Sequence, residues 1–245
     1  MKQFSIWIGY DPRELDAFAV ARHSAVQSAG GIPVRGLVLD RLRRAGLYWR
    51  PTETRDGRLW DTISGAPMAT EFAISRFLVP SLAKGASWAL FMDSDMLIRG
   101  DLSQLFLEVY RNHANKAVVC VKHDHRPTSG TKMDGQVQTV YARKNWSSFM
   151  LWNLEHPANK ALTPTMVNER PGRDLHNFCW LESDDLIGEL PVSWNWLVGH
   201  SDPGTEPENV HFTDGVPTMK GYENQPFATD YHEALHDFVE GKFSW

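Results

Sequence analysis

The sequence predicts a single α/β domain over residues 1–245, built on a central mixed, mostly parallel sheet. Three observations predict it. Strand-like and helix-like segments alternate along the chain. Several short runs are apolar at every position, the pattern of strands buried on both faces. The chain has 245 residues, 42% hydrophobic and 22% charged, enough for one packed core.

Each element follows from local signals. Phe4, Ile6 and Ile8 alternate with Ser5 and Trp7 ahead of Gly9-Tyr10-Asp11-Pro12, a strand stopped by a turn. Asp11, with Pro12 and Glu14 behind it, reads as the N-cap of a helix. Its stripe is Leu15, Phe18, Ala19, Arg22 and Val26, and it ends near Gly30-Gly31. Residues 34–39 form a second strand, and residues 41–67, rich in charge, Gly and Pro, read as a loop or irregular insertion. A helix over 70–82 places Ile74, Phe77, Leu78 and Leu82 on one side. Residues 88–92 are a continuous apolar run, a buried central strand, and 96–98 are another short apolar piece. Asp101 and Gln104 make a capping box for an amphipathic helix carrying Leu102, Leu105, Phe106 and Val109. Residues 117–121 and 149–152 are further buried strands. Helices are expected over 158–166, interrupted by Pro164, over 175–181, and after Thr229 with Tyr231, Leu235, Phe238 and Val239.

Composition narrows the function classes. A formal net charge of −5 argues against broad electrostatic binding of nucleic acid or anionic lipid. No apolar run approaches the ~18 residues needed to cross a bilayer, and residues 1–9 lack the apolar core of a secretory signal. Cys120 and Cys179 have no CxxC spacing and are too few for a disulfide scaffold, so reduced thiols in a cytoplasm are expected.

The sharpest local feature is Asp93-Ser94-Asp95, flanked by Leu90-Phe91-Met92 and Met96-Leu97-Ile98. Aspartate is disfavoured inside strands. In extended chain Asp93 and Asp95 point to one side, where two carboxylates repel unless a cation sits between them. A divalent metal resolves the repulsion; capping of a turn and the next helix is the plainer reading of the same residues. The segment is not an EF-hand loop, because Leu97 stands at the next alternate position. Far downstream, Val210-His211-Phe212-Thr213-Asp214-Gly215-Val216-Pro217 places a histidine after a short strand and before a turn.

Together these segments resemble the GT-A-fold nucleotide-sugar glycosyltransferases, closest to the retaining family 8 type that includes glycogenin and bacterial galactosyltransferases. The match rests on residues 91–102, an apolar strand, a DxD and a Gly100-Asp101-Leu102 helix start, and on His211-Phe212-Thr213. Weaker similarities are Ile8-Gly9-Tyr10-Asp11, Ser75-Arg76-Phe77-Leu78-Val79-Pro80, residues 147–153, and Leu190-Pro191 with Trp194-Asn195. The resemblance implies a GT-A, Rossmann-like fold and a metal held by Asp93, Asp95 and His211. Mn²⁺ is expected, with Mg²⁺ as the other option, since an imidazole ligand favours the later metal. It also implies a UDP-sugar donor bound through Ile8, Tyr10, Asp11, Arg76, Asp93, Ser94, Gly215 and Lys220, with Tyr10 stacking on uracil. Asp11 carries two readings, nucleoside ligand or helix cap, and Lys220 two, phosphate ligand or solvated surface lysine.

Several positions depart from the family pattern. The family's His-x-x-Gly-x-x-Lys is stretched here, with Gly215 and Lys220 set farther from His211. Trp146 stands for the Asn of Asn-Ser-Gly, with Asn145 adjacent, so a donor-sugar contact is lost or shifted. Asp174-Leu175-His176 stands for Asp-Gln-Asp, which leaves Asp174 as the candidate catalytic residue. The implied activity is metal-dependent, retaining transfer of a hexose from a UDP-sugar to a glycan or small-molecule acceptor. Residues 41–67 and 123–144 are candidate acceptor loops, and Trp49, Trp60 and Trp146 are the tryptophans placed to stack on an acceptor sugar; Trp7, Trp88, Trp152, Trp194 and Trp196 read as structural. Two other classes stand beside this reading. One is a non-catalytic nucleotide-sugar or glycan binder. The other is a haloacid-dehalogenase-type phosphohydrolase, whose DxD follows the first strand.

Overall fold

A computed structural model describes residues 3–123 and 143–241. In chain order the elements are β1 (Phe4–Tyr10), α1 (Leu15–Ser28), β2 (Val34–Val38), α2 (Leu39–Arg44), β3 (Thr52–Arg55), β4 (Arg58–Asp61), β5 (Ala66–Pro67), α3 (Phe72–Ser75), α4 (Val79–Leu82), β6 (Trp88–Met92), β7 (Met96–Ile98) and α5 (Leu102–Asn112). There follow β8 (Val118–Cys120), β9 (Phe149–Asn153), α6 (Pro164–Glu169), α7 (Gly172–His176), β10 (Ile187–Glu189), β11 (Trp196–Leu197), β12 (Asn209–His211) and α8 (Ala228–Val239).

The central sheet has six strands in the order β10-β8-β9-β6-β1-β2. β2, β1 and β6 are parallel, as are β10 and β8, while β9 runs antiparallel to both of its neighbours. The expected mixed, mostly parallel α/β sheet is what forms. Its middle strands, β6 and β9, are apolar at every position but Asn153 because both faces are covered. Leu90 and Met92 of β6 pack with Phe149 and Leu151 of β9 beneath α1 and α5, and Phe91, Met150 and Trp152 face the opposite core. On that side Trp152 stacks on Trp180 at 5.5 Å and meets the edge of Phe77 at 6.3 Å. Trp7, Trp88, Trp152, Trp194 and Trp196 all pack into the cores, as the sequence suggests.

α5 follows its sequence signals closely: the Asp101 carboxylate accepts from Gln104 N at 3.0 Å, and Leu102, Leu105, Phe106 and Val109 are the buried side chains. Several expectations fail for identifiable reasons. α1 buries Phe18 and Ala19 of its expected stripe, but Leu15 is 55% exposed and Val26 also faces outward. Ala17 and Val20 are also buried on the α8 side, and Ala21 and Ala25 on the sheet side, because the helix is wedged between the two and is covered on both faces. Asp11 does not cap α1 either, since Glu14 holds the N-cap position without a side-chain bond.

The insertion over 41–67 is ordered. It completes α2 and then forms an antiparallel meander of β3, β4 and β5. Its hairpin turns on Asp56-Gly57, with φ of 50° and 74°, the Asp-Gly pair whose positive φ values suit the tight turn of twisted strands. The helix over 70–82 is broken into α3, a 3₁₀ turn at Arg76–Leu78 and α4, with Pro80 in the first turn of α4. Pro164 starts α6 instead of interrupting a helix, with the Thr163 hydroxyl accepting from Met166 N at 3.2 Å. The helix expected over 175–181 is the shorter α7; Phe178 takes a φ of 58° and turns the chain so that Trp180 reaches the core. The acceptor loop expected over 123–144 lies largely outside the described residues.

β7, β12 and β11 make a second, three-stranded sheet that packs with α8 and one side of α1. No helix among the described residues is long and apolar enough to cross a membrane. Cys120 is buried and Cys179 exposed, both as free thiols.

Candidate active site

The carboxyl ends of β1 and β6 lie side by side, the edge at which open α/β sheets bind ligands. Asp93 leaves the end of β6, its N–H donating to Ser148 O at 2.9 Å, and Asp95 precedes β7. β12 runs antiparallel to β7 with His211 opposite Met96, and Phe212 N donates to Asp95 O at 2.9 Å. That register carries His211 back to Asp95. Its Nε2 stands 3.3 Å from Asp95 Oδ1, and ligand atoms of Asp93, Asp95 and His211 all lie within 4.8 Å of one another. Two carboxylates and an imidazole converging in a half-buried position form a donor set that fits a divalent cation.

A cavity of about 630 Å³ opens over this triad. Arg76 forms part of its floor. The guanidinium sits 2.8 Å from Asp93 Oδ1, donates to Ser147 O at 2.8 Å and to Ala73 O at 3.1 Å, and lies 4.9 Å over the ring of Phe91. It offsets part of the local negative charge. Glu14 stands beside Ser94, whose hydroxyl donates to it at 3.3 Å. Burial, then the Asp95 and Asp11 carboxylates, push Glu14 up to about 7.

Among the expected site residues, Arg76, Asp93, Asp95, His211 and Gly215 line this cavity together. The others stand outside its lining. Ile8 is fully buried in β1, and Tyr10 at the strand end meets Phe18 edge-on at 5.1 Å. Ser94 is buried, Lys220 is exposed, and Asp174 sits 3.6 Å from Arg173 Nε. Asp11 is fully buried and accepts from Arg13 N at 3.0 Å, from the Arg13 guanidinium at 2.9 and 2.6 Å, and from Glu71 N at 3.0 Å. Burial would raise its carboxyl, but these hydrogen bonds outweigh it and hold the group below the usual carboxylate range. Asp11 thereby ties the turn after β1 to the start of α3.

Three residues that the sequence reading did not assign to the site enter it. His176, from the same helix as Asp174, lines the cavity with its Nδ1 2.7 Å from Ser147 Oγ. Burial and then the charge of Arg76 push it down to about 3, so it is a neutral hydrogen-bonding group. Asn145 also lines the cavity, and its buried Nδ2 has no hydrogen-bond partner among the described residues. Trp146 turns away, its indole N–H donating to His123 O at 2.9 Å with Arg143 5.2 Å over the ring. Asn195, fully buried, hydrogen-bonds His211 Nδ1 at 2.9 Å. Trp49, Trp60 and Trp146, expected at an acceptor site, are all absent from the lining; Trp60 lies under Arg55 at 4.6 Å and Trp49 is half-exposed. Instead the meander and the segment after it contribute Arg58, Ile63, Ser64 and Met68 to the lining.

No protein-family model matches the sequence. Protein CDI of Arabidopsis thaliana is 43% identical over 244 residues, 97% of this chain and 88% of that protein. Among solved structures, the glycosyltransferase GlyE of Streptococcus pneumoniae superposes with a TM-score of 0.60 at 11% identity, covering 99% of this chain and 64% of GlyE. This chain thus spans a little under two thirds of GlyE. The galactosyltransferase LgtC gives 0.57 at 15% identity and 95% of both chains, and mouse xyloside xylosyltransferase 1 gives 0.51 at 13%, covering 87% of this chain and 98% of that one. The sheet order, the Asp-x-Asp at the end of β6 and these superpositions agree: the fold is GT-A, and the chain belongs to the family of Arabidopsis Protein CDI.

Proposed function

We propose that the protein is a metal-dependent, retaining glycosyltransferase that moves a hexose from a UDP-sugar to a glycan or small-molecule acceptor. One observation carries the reading: Asp93, Asp95 and His211, brought together from distant parts of the chain, converge at one end of a cavity of about 630 Å³. That volume suits a bound nucleotide-sugar. GlyE, LgtC and the mouse xylosyltransferase, each named for sugar transfer, share the fold.

A divalent ion held by Asp93, Asp95 and His211, Mn²⁺ by its ligands, supplies positive charge to a diphosphate leaving group. The chain's own residues do the rest. Arg76 is a fixed cation whose position costs no reorganisation when charge develops, because Ala73 O, Ser147 O and Asp93 already hold it. The unpartnered Nδ2 of Asn145 is a donor for a sugar hydroxyl, and neutral His176 a second polar contact. Tyr10, Asp11 and Ser94 organise the nucleoside end of the site, with Asp11 acting through Arg13 and Glu71. The meander wall and the exposed Ile63 on it shape the acceptor side. Among the described cavity-lining carboxylates, Glu14 is engaged by Ser94, Asp93 by Arg76, Asp61 by Arg50 and Asp214 by His200, and Asp95 belongs to the metal triad, so none of them is an evident nucleophile for double displacement. Same-face attack, with a donor phosphate taking the acceptor proton, is the mechanism that fits.

The test is UDP release from UDP-glucose and UDP-galactose with Mn²⁺, with and without EDTA. Metal-dependent release that disappears in Asp95→Asn supports the proposal. Equal turnover of Asp95→Asn and wild type sinks the metal assignment, and tight UDP binding without release makes the protein a binder.

A further inference from the structure

We propose that Asn195 is a positioning residue that locks His211 in the tautomer protonated at Nδ1, leaving the Nε2 lone pair for the metal. This rests on the reading of Asp93, Asp95 and His211 as a metal site. A metal-ligating histidine needs its other ring N–H tied down, because that bond sets both tautomer and ring orientation. Here the partner is a neutral amide, whose orientation must itself be decided by its surroundings.

The surroundings decide it. Asn195 Nδ2 lies 3.1 Å from Asn145 O and 2.9 Å from Ser148 Oγ. A backbone carbonyl can only accept. The Ser148 hydroxyl spends its hydrogen on the same Asn145 O, at 2.7 Å, and so faces Asn195 with a lone pair. Both neighbours therefore demand the NH₂ group, and the amide oxygen is left facing His211 Nδ1 at 2.9 Å. An oxygen there can be satisfied only by Nδ1–H. Flipping the amide would set its oxygen against the Asn145 carbonyl, two buried acceptors with no hydrogen between them, at a cost of about 1–3 kcal/mol. Asn195 and Asn145 O belong to segments 50 residues apart, and Asn195 is fully buried, so water does not compete.

The same turn also positions Asp93 and Arg76. Ser148 O accepts from Asp93 N, and Ser147 O accepts from Arg76. The turn at 145–148 therefore registers Asp93 directly and His211 through Asn195.

The experiment reads tautomer and metal affinity without turnover. Protein labelled with ¹⁵N-histidine, metal-free and at alkaline pH where imidazole is neutral, is examined by two-bond ¹⁵N–¹H correlation, with His211→Gln assigning the signal. His211 is expected as Nδ1–H, the reverse of the preference of free histidine in water. Mn²⁺ alone is then titrated by electron paramagnetic resonance. Asn195→Leu, which keeps the size and removes the acceptor, is expected to weaken Mn²⁺ about 10–100-fold. Asn195→Asp, which keeps an acceptor toward Nδ1 but loses the NH₂ that anchors it on Asn145 O, is expected to weaken Mn²⁺ clearly less than Asn195→Leu. An Nε2–H wild type that binds Mn²⁺ tightly overturns this proposal alone, and that measurement stands whether or not the variants fold. Folded Asn195→Leu with wild-type affinity, or equal losses in the Leu and Asp variants, also overturns it. A wild type that binds no Mn²⁺ overturns the metal reading and the proposal with it.

Discussion

Arg50→Ala is expected to be among the most destabilising single changes in the protein, and the structure sets the size of the effect. Arg50 and Asp61 are 0% and 1% exposed and form a two-pronged ion pair, Nε to Oδ1 at 2.7 Å and Nη2 to Oδ2 at 2.6 Å. The remaining guanidinium hydrogens reach Val167 O at 3.0 Å, Arg170 O at 2.7 Å and Ser64 Oγ at 3.1 Å. Arg50 is thus the rivet between the β3–β5 meander and the segment that carries α6 and α7. Removing it strands a buried carboxylate, left with hydrogen bonds from Ser64 N at 3.0 Å and from the Ser64 side chain, together with two backbone carbonyls. Breaking a buried pair from one side costs about 3–5 kcal/mol. At roughly 2–4 °C per kcal/mol for a domain of this size, Tm falls by about 6–20 °C. The assay is thermal and urea unfolding followed by circular dichroism. The double change Arg50→Met with Asp61→Leu strands no charge and is expected to recover most of the loss. A cost below about 1 kcal/mol for Arg50→Ala, or a double variant as unstable as the sum of its singles, refutes the reasoning. Acid gives an independent check. Burial raises the Asp61 carboxyl but the Arg50 hydrogen bonds lower it more, so its folded value lies below the ordinary one. Its stabilisation is therefore complete above about pH 4 and is lost as pH falls through the lower folded value.

Other expectations follow from the site. Asp95→Asn and His211→Ala should each cut metal-stimulated UDP release about a hundredfold or more in a product assay, and calorimetry of the metal-free protein should show little change in Tm for Asp95→Asn. In metal-free protein, Glu14, raised to about 7, makes stability fall as pH climbs from its unfolded value of about 4.3 through 7; Glu14→Gln should flatten that slope in a Tm-against-pH series. His176, depressed to about 3, acts in the opposite sense, its contribution being complete above about 6.5 and lost on acidification, so His176→Gln should remove an acid-side loss. A Cβ on Gly9 would fall 2.4 Å from the Phe72 ring, so Gly9→Ala should destabilise by about 1–3 kcal/mol in urea unfolding and disturb the cavity wall that Phe72 lines.

Elements governed by local physics can be read directly from the residues. The buried strands at 88–92 and 149–152 are legible because a strand covered on both faces must be apolar at every position, and α5 is legible because Asp101, Gln104 and the Leu102–Val109 stripe act within a few turns. The two aspartates of the site are legible because nothing in strand packing calls for them. Asp56-Gly57 was equally local, and it marks a hairpin that a count of charge, Gly and Pro reads as loop. Only the tertiary structure decided the rest. His211 reaches Asp95 through the register of β12 on β7, and a lone histidine carries no local mark of that pairing. Asn195 becomes the partner of His211, and Asn145 rather than Trp146 faces the cavity, through bonds between segments 16 to 50 residues apart. The alanine faces of α1 are chosen by what lies on either side of the helix, not by its own periodicity. Propensity and periodicity act over one or two turns of chain, whereas strand register, buried ion pairs and amide orientation are settled by groups that meet only when the chain has closed upon itself.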